Sequence, residues 1–169
     1  MSGDPPRSKP PAESRFPGER LLVNRQTAVP VRPASLRSFL EQASRLVFPA
    51  GAEVTVCLVS DAAIARWNLR YRRKSGPTDV LSFPLANGDR RSVRRAATPA
   101  GSSQLERGDI AISPAAARRN ARALGRSLES ELRVLILHGL LHLAGYDHEA
   151  DSGQMERREQ KLRRRLGIG

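Results

Sequence analysis

Residues 138–148 read HGLLHLAGYDH and contain all three histidines of this 169-residue chain. The surrounding run is the most apolar in the sequence, with Leu135, Ile136, Leu137, Leu140, Leu141 and Leu143. His138 and His142 stand four residues apart. On a helix turning about 100° per residue they lie about 40° apart around the axis, so both imidazoles reach one point. Gly145 ends the helix, because glycine can adopt the left-handed conformation that reverses a chain. Tyr146 and Asp147 complete the turn, and His148 returns to the same point. Imidazoles among so many leucines are poorly satisfied unless they share a partner. Three neutral nitrogens with one position left open form a catalytic zinc arrangement, whereas closed structural sites use four protein ligands. The spacing therefore predicts a metal site made of His138, His142 and His148, holding one Zn2+ per chain.

The same spacing, HExxHxxGxxH, belongs to the metzincin peptidases. Here the second position is Gly139. The glutamate that serves those peptidases as general base is missing. Glu149 and Asp147 are the nearest substitutes, and neither occupies the helical position that faces the metal.

The rest of the chain is read around this motif. Residues 1–18, MSGDPPRSKPPAESRFPG, have several prolines and almost no core-forming side chains, which predicts a disordered tail. One domain follows, residues 19–169. Strands are predicted at 20–25, 53–59, 79–83 and 108–113, and helices at 35–47, 61–71, 114–125 and 128–144. Asp151 caps a last helix reaching about 166, with Met155, Leu162 and Leu166 as its apolar stripe. Residues 85–107 are rich in arginine and turn formers and predict a long mobile loop. Strands and helices mix without strict alternation. The expected fold is α+β, a small mixed four-stranded sheet packed with about five helices.

The formal net charge is +12, carried mostly by arginine. Such a balance points to polyanionic partners, nucleic acid first. A GC-rich genome would also enrich arginine. The single cysteine, Cys57, excludes an internal disulfide and reads as a buried, inert thiol. No apolar run approaches the roughly 20 residues that span a bilayer, and the N-terminus lacks a signal-peptide core. The expectation is a cytoplasmic protein with no membrane partner.

HGLLHLAGYDH resembles the signature of the YbeY family of bacterial endoribonucleases. NLRYRRKSGPTDVLSFP (68–84) and GDIAIS (108–113) resemble that family's other motifs, in the same order. The resemblance runs from about residue 20 to the C-terminus and leaves out the tail and the loop 85–107. It implies a zinc-dependent, single-strand-specific endoribonuclease acting in ribosomal RNA maturation, at the 3′ end of 16S rRNA, and in ribosome quality control. Its partners would be ribosomal RNA and the small ribosomal subunit. It implies His138, His142 and His148 as ligands, with a zinc-held water. It also implies a functional arginine after Tyr71, which is Arg72, between Arg70 and Arg73.

Phosphodiester cleavage builds negative charge on the non-bridging oxygens, and a guanidinium can meet two of them with parallel hydrogen bonds. Asp79 and Asp109 are read as starting strands after turn residues, either capping those turns or orienting a ligand histidine. Arg163, Arg164 and Arg165 either touch RNA or solvate the last helix. Two other readings stay open: a metzincin-like zinc metallopeptidase, and a non-catalytic ribosome- or RNA-binding factor with a structural metal.

Overall fold

The computed structural model describes residues 21–84, 106–147 and 149–168. In chain order it holds β1 (Leu22–Asn24), α1 (Pro33–Val47), β2 (Glu53–Leu58) and α2 (Asp61–Trp67). A π-helical turn (Asn68–Arg72), β3 (Val80–Pro84) and β4 (Glu106–Ile112) follow, then α3 (Pro114–Ala123), α4 (Leu128–Leu143) and α5 (Gln154–Leu166). The sheet runs β1-β2-β4-β3. β1, β2 and β4 are parallel and β3 is antiparallel to β4, so the sheet is mixed, as expected.

Successive strand residues point to opposite faces, and the two faces divide the core. Val54, Val56, Leu58, Ile110 and Ile112 join α1 and α4 in the larger cluster. Cys57, Val59, Leu81, Phe83 and Ala111 point the other way, against Ile64 of α2, with Trp67 and Tyr71 packed beside them. α4 is apolar nearly all round, and ten of its sixteen residues are buried. That is the pattern of a helix enclosed on most sides. It packs on α1, α3, α5, β3 and β4. Each large side chain it hides stabilises the fold by about 1.5–3 kcal/mol before entropy is counted.

Local signals explain the ends. Ser60, Ser113 and Ser127 accept from the backbone N–H three residues on and so cap α2, α3 and α4. Asp151 caps α5 as expected: its carboxylate accepts from the N–H groups of Gly153 at 2.8 Å, Gln154 at 2.9 Å and Met155 at 2.9 Å. Met155 and Leu162 are buried on the larger cluster, with Leu166 packed against it. Cys57, the single cysteine, is a fully buried thiol. Among the described residues no helix is long and apolar enough to cross a membrane.

The structure corrects several boundaries. The first strand covers only Leu22–Asn24 of the expected 20–25. The helix expected over 61–71 is α-helical only to Trp67, and its last turn widens into the π-turn. Glu106 and Arg107, assigned to the loop, open β4 instead. Asp109 therefore starts nothing: it is a buried mid-strand residue between Thr55 and Phe83. The predicted tail 1–18, residues 85–105 of the predicted loop, and His148 lie outside the described residues.

Candidate active site

α4 carries His138 and His142, both half-buried, on one stripe. Their Nε2 atoms face each other at 3.1 Å, with the rings nearly perpendicular at 74°. The helix then closes as predicted. Gly145 has φ of +95°. Its N–H reaches His142 O at 3.0 Å, and that of Tyr146 reaches Leu141 O at 3.1 Å, a paired C-terminal cap. Asp147 is occupied in the turn that follows, where its carboxylate accepts from the Glu149 N–H at 3.0 Å.

Behind His138 stands a residue that the sequence reading missed. The Nδ1–H of His138 donates to Glu159 Oε2 of α5 at 2.8 Å. A carboxylate only accepts, so Nδ1 carries a proton, and in the neutral imidazole this leaves the lone pair on Nε2, on the side of His142. Burial raises the Glu159 pKa, but the hydrogen bond from His138 and the charge of Arg163 outweigh it and hold the carboxyl below the ordinary glutamate range. Arg163 is thus partly accounted for: it pairs with Glu159, while Arg164 and Arg165 are exposed. A signal for Glu159 did exist. It lies four residues after Met155 and three before Leu162, so it is a charge inside the apolar stripe of α5.

A cavity of about 430 Å³ opens beside the histidines. His138 and His142 line it from one side, β3 forms its floor, and Tyr71 and Arg72 reach it from the π-turn. Among the described residues β3 is an edge strand, so the cavity wraps around the sheet's margin and joins elements from its two faces. Arg72 is exposed there. Tyr71 packs edge-on against Phe83 of β3, with centroids 5.4 Å apart. Arg70 stacks over the Tyr71 ring instead, its guanidinium 5.4 Å from the centroid. Asp79 borders the cavity but is committed to structure. Its Oδ1 accepts from the Val80 N–H at 2.8 Å, and its Oδ2 from Asn120 of α3 at 2.9 Å. These bonds tie the start of β3 to α3.

Gly139 faces the sheet. A Cβ built there would lie 2.8 Å from Cδ1 of Ile110 on β4. At the position where metzincins carry glutamate, a side chain would thus have to displace Ile110.

Comparison with known proteins agrees with this architecture. The family model described as endoribonuclease YbeY matches residues 22–167. The chain belongs to the endoribonuclease YbeY family. Among its relatives, the endoribonuclease YbeY of Koribacter versatilis is 41% identical over 149 residues, covering 88% of this chain and 86% of the relative. That of Solibacter usitatus is 36% identical over 151 residues, covering 89% and 90%. The solution structure of TM1509 from Thermotoga maritima matches with a TM-score of 0.54 at 28% identity, covering 87% of each chain. As a YbeY family member the protein is a nuclease, an enzyme of the hydrolase class.

Proposed function

We propose that this YbeY family member is a zinc-dependent endoribonuclease that cuts single-stranded RNA, and that its substrate is ribosomal RNA at the 3′ end of the small subunit's 16S species. The observation that carries this reading is the convergence of His138, His142 and Arg72 on one cavity at the open edge of β3. The donor set suits zinc. Two nitrogens each about 2.0–2.1 Å from one tetrahedral ion stand about 3.3 Å apart, close to the 3.1 Å between the two Nε2 atoms. A carboxylate behind a ligating histidine, as Glu159 is behind His138, is the usual support for such a ligand. His138 and His142 would hold the ion together with His148, which the sequence supplies. When bound, zinc supplies Lewis acidity toward a phosphoryl oxygen and lowers the pKa of water.

The chain's own residues do the rest. The Arg72 guanidinium faces the cavity and binds the scissile phosphate, meeting the charge that develops on its non-bridging oxygens. Arg70, Arg73 and the exposed arginines of α5 supply general attraction for the backbone, which also fits a partner as large and anionic as the small ribosomal subunit in the cytoplasm.

One assay tests the reading: structured ribosomal RNA and casein, each with and without chelator. RNA should be cut, casein left intact, and chelation should stop cleavage until zinc is restored. His142→Ala should lose most of the one equivalent of zinc found by elemental analysis. Cleavage of casein would favour the peptidase, and RNA binding without cleavage would favour a non-catalytic factor.

A further inference from the structure

Arg72 sits on a mostly exposed segment that Tyr71 anchors on Phe83. Between Asn68 and Gly76 the only buried residue is Asn68, at 5% exposure, and Leu69 is 58% exposed. Arg73 has φ of +56°, a left-handed conformation in a residue with a side chain. Such a turn persists only where its surroundings determine it. Asn68 ties it from both ends. Its main-chain carbonyl accepts from the Lys74 N–H at 3.3 Å. Its side-chain Nδ2 donates across the loop to the Gly76 carbonyl at 3.0 Å. One buried residue thus closes the loop 68–76 into a ring, with Arg72 at the rim beside the cavity.

We propose that Asn68 is a positioning residue for cleavage: its amide fixes the π-turn so that the Arg72 guanidinium is presented to the phosphate. This rests on the assignment of Arg72 made above. The amide cannot be replaced by an aliphatic side chain of similar size, because the function lies in the donor. Gly76 is exposed, so losing the donor returns its carbonyl to water, and Asn68→Ala should fold.

The test is steady-state cleavage of a short single-stranded RNA by the zinc-loaded full chain, with Asn68→Ala, Arg72→Ala and the double variant. Misplacing a reacting partner by about 1 Å costs on the order of a hundredfold in rate, so Asn68→Ala should lower kcat about ten- to hundredfold with KM little changed. In the Arg72→Ala background the same substitution should change nothing further. Asn68→Leu keeps the shape and removes the donor, and should behave like Asn68→Ala. Gln26→Ala is the structural control. It cuts a similar buried amide-to-carbonyl tie, Gln26 Nε2 to Val29 O at 2.9 Å, beyond the sheet's opposite edge, and should leave kcat alone. A full-speed Asn68→Ala, or equal losses from Asn68→Ala in both backgrounds, overturns the proposal. If Asn68→Ala does not fold, Asn68→Leu, which leaves no cavity, decides by the same criteria. If Arg72→Ala alone cleaves at the wild-type rate, the assignment of Arg72 fails and takes this inference with it. An Arg72→Ala loss beside a full-speed Asn68→Ala overturns only the positioning role.

Discussion

The two walls of the cavity are built on different principles. The histidine wall is a face of α4, a helix buried against five other elements. The spacing of His138 and His142 is therefore a by-product of folding, and it cannot be lost without disturbing the core. The arginine wall is a short exposed turn held by one buried amide, one ring contact and a left-handed backbone. A fixed wall suits ligands that must keep their separation. A turn outside the core can be altered without unfolding the protein. Mutations should therefore separate the two: on the proposed zinc site, changes at the histidine wall should act on metal affinity and stability together, and changes at the arginine wall on rate.

The sharpest test of the histidine wall is Glu159→Gln. It keeps an acceptor for the His138 Nδ1–H and removes the charge. Loss of such a supporting carboxylate costs about 10–100-fold in metal affinity, readable by chelator competition. Unchanged affinity would mean that Glu159 only staples α5 to α4.

Next in size is Gly139→Ala. The added methyl meets Ile110 at 2.8 Å, and overpacking of this kind costs about 1–3 kcal/mol. The gain in helix propensity, up to about 1 kcal/mol, offsets only part of it. Urea denaturation should show a net loss, and a more stable variant would mean that helix and strand are not pressed together.

The arm that carries Arg72 begins at Asp61, which pairs with Arg119 at 2.8 Å and accepts from the Ser113 hydroxyl. The hydrogen bond from Arg119, then that from Ser113, outweighs burial and lowers the Asp61 pKa. A carboxylate held below its unfolded value of about 3.9 stabilises the fold above that pH and loses the contribution as pH falls through its folded value. Asp61→Asn should therefore cost up to about 1 kcal/mol near neutrality, as a half-exposed pair does. The difference from wild type should shrink below pH 4. A gap that persists in acid would assign the effect to packing.

The smallest effect is expected from Arg73→Gly. Relief of a left-handed residue, worth about 1–2 kcal/mol, is partly cancelled by glycine's extra freedom in the unfolded chain, about 0.5–1 kcal/mol. A slight rise in Tm with kcat unchanged is the expected result. A fall in Tm would mean that the Arg73 side chain itself holds the turn.

These contrasts also mark what a linear reading can reach. The His138–His142 pair was legible because helical periodicity alone sets the distance between residues four apart. The strands were legible because β-branched residues alternate there. Asp109 was misread: a lone acid after Gly108 looks like turn chemistry, and only the pairing of β4 with both neighbours shows it mid-strand. The widening after Trp67 was not legible, because α and π turns use the same residues and differ in which carbonyl each N–H finds. Glu159 escaped for another reason. Its partner lies 21 residues away, and the packing of α5 on α4 is a tertiary fact.

The contact between Gly139 and Ile110 reaches beyond the energetics of one protein. It couples the two positions in descent. A glutamate at 139 needs space that only a smaller neighbour at 110 could give, and trimming Ile110 first leaves a void under the helix, at a cost of roughly 0.5–5 kcal/mol depending on how much is removed. Each first step is a loss on its own. In this core the two positions are coupled, so a contact outside the lining of the histidine cavity bears on which side chain can stand between the two histidines.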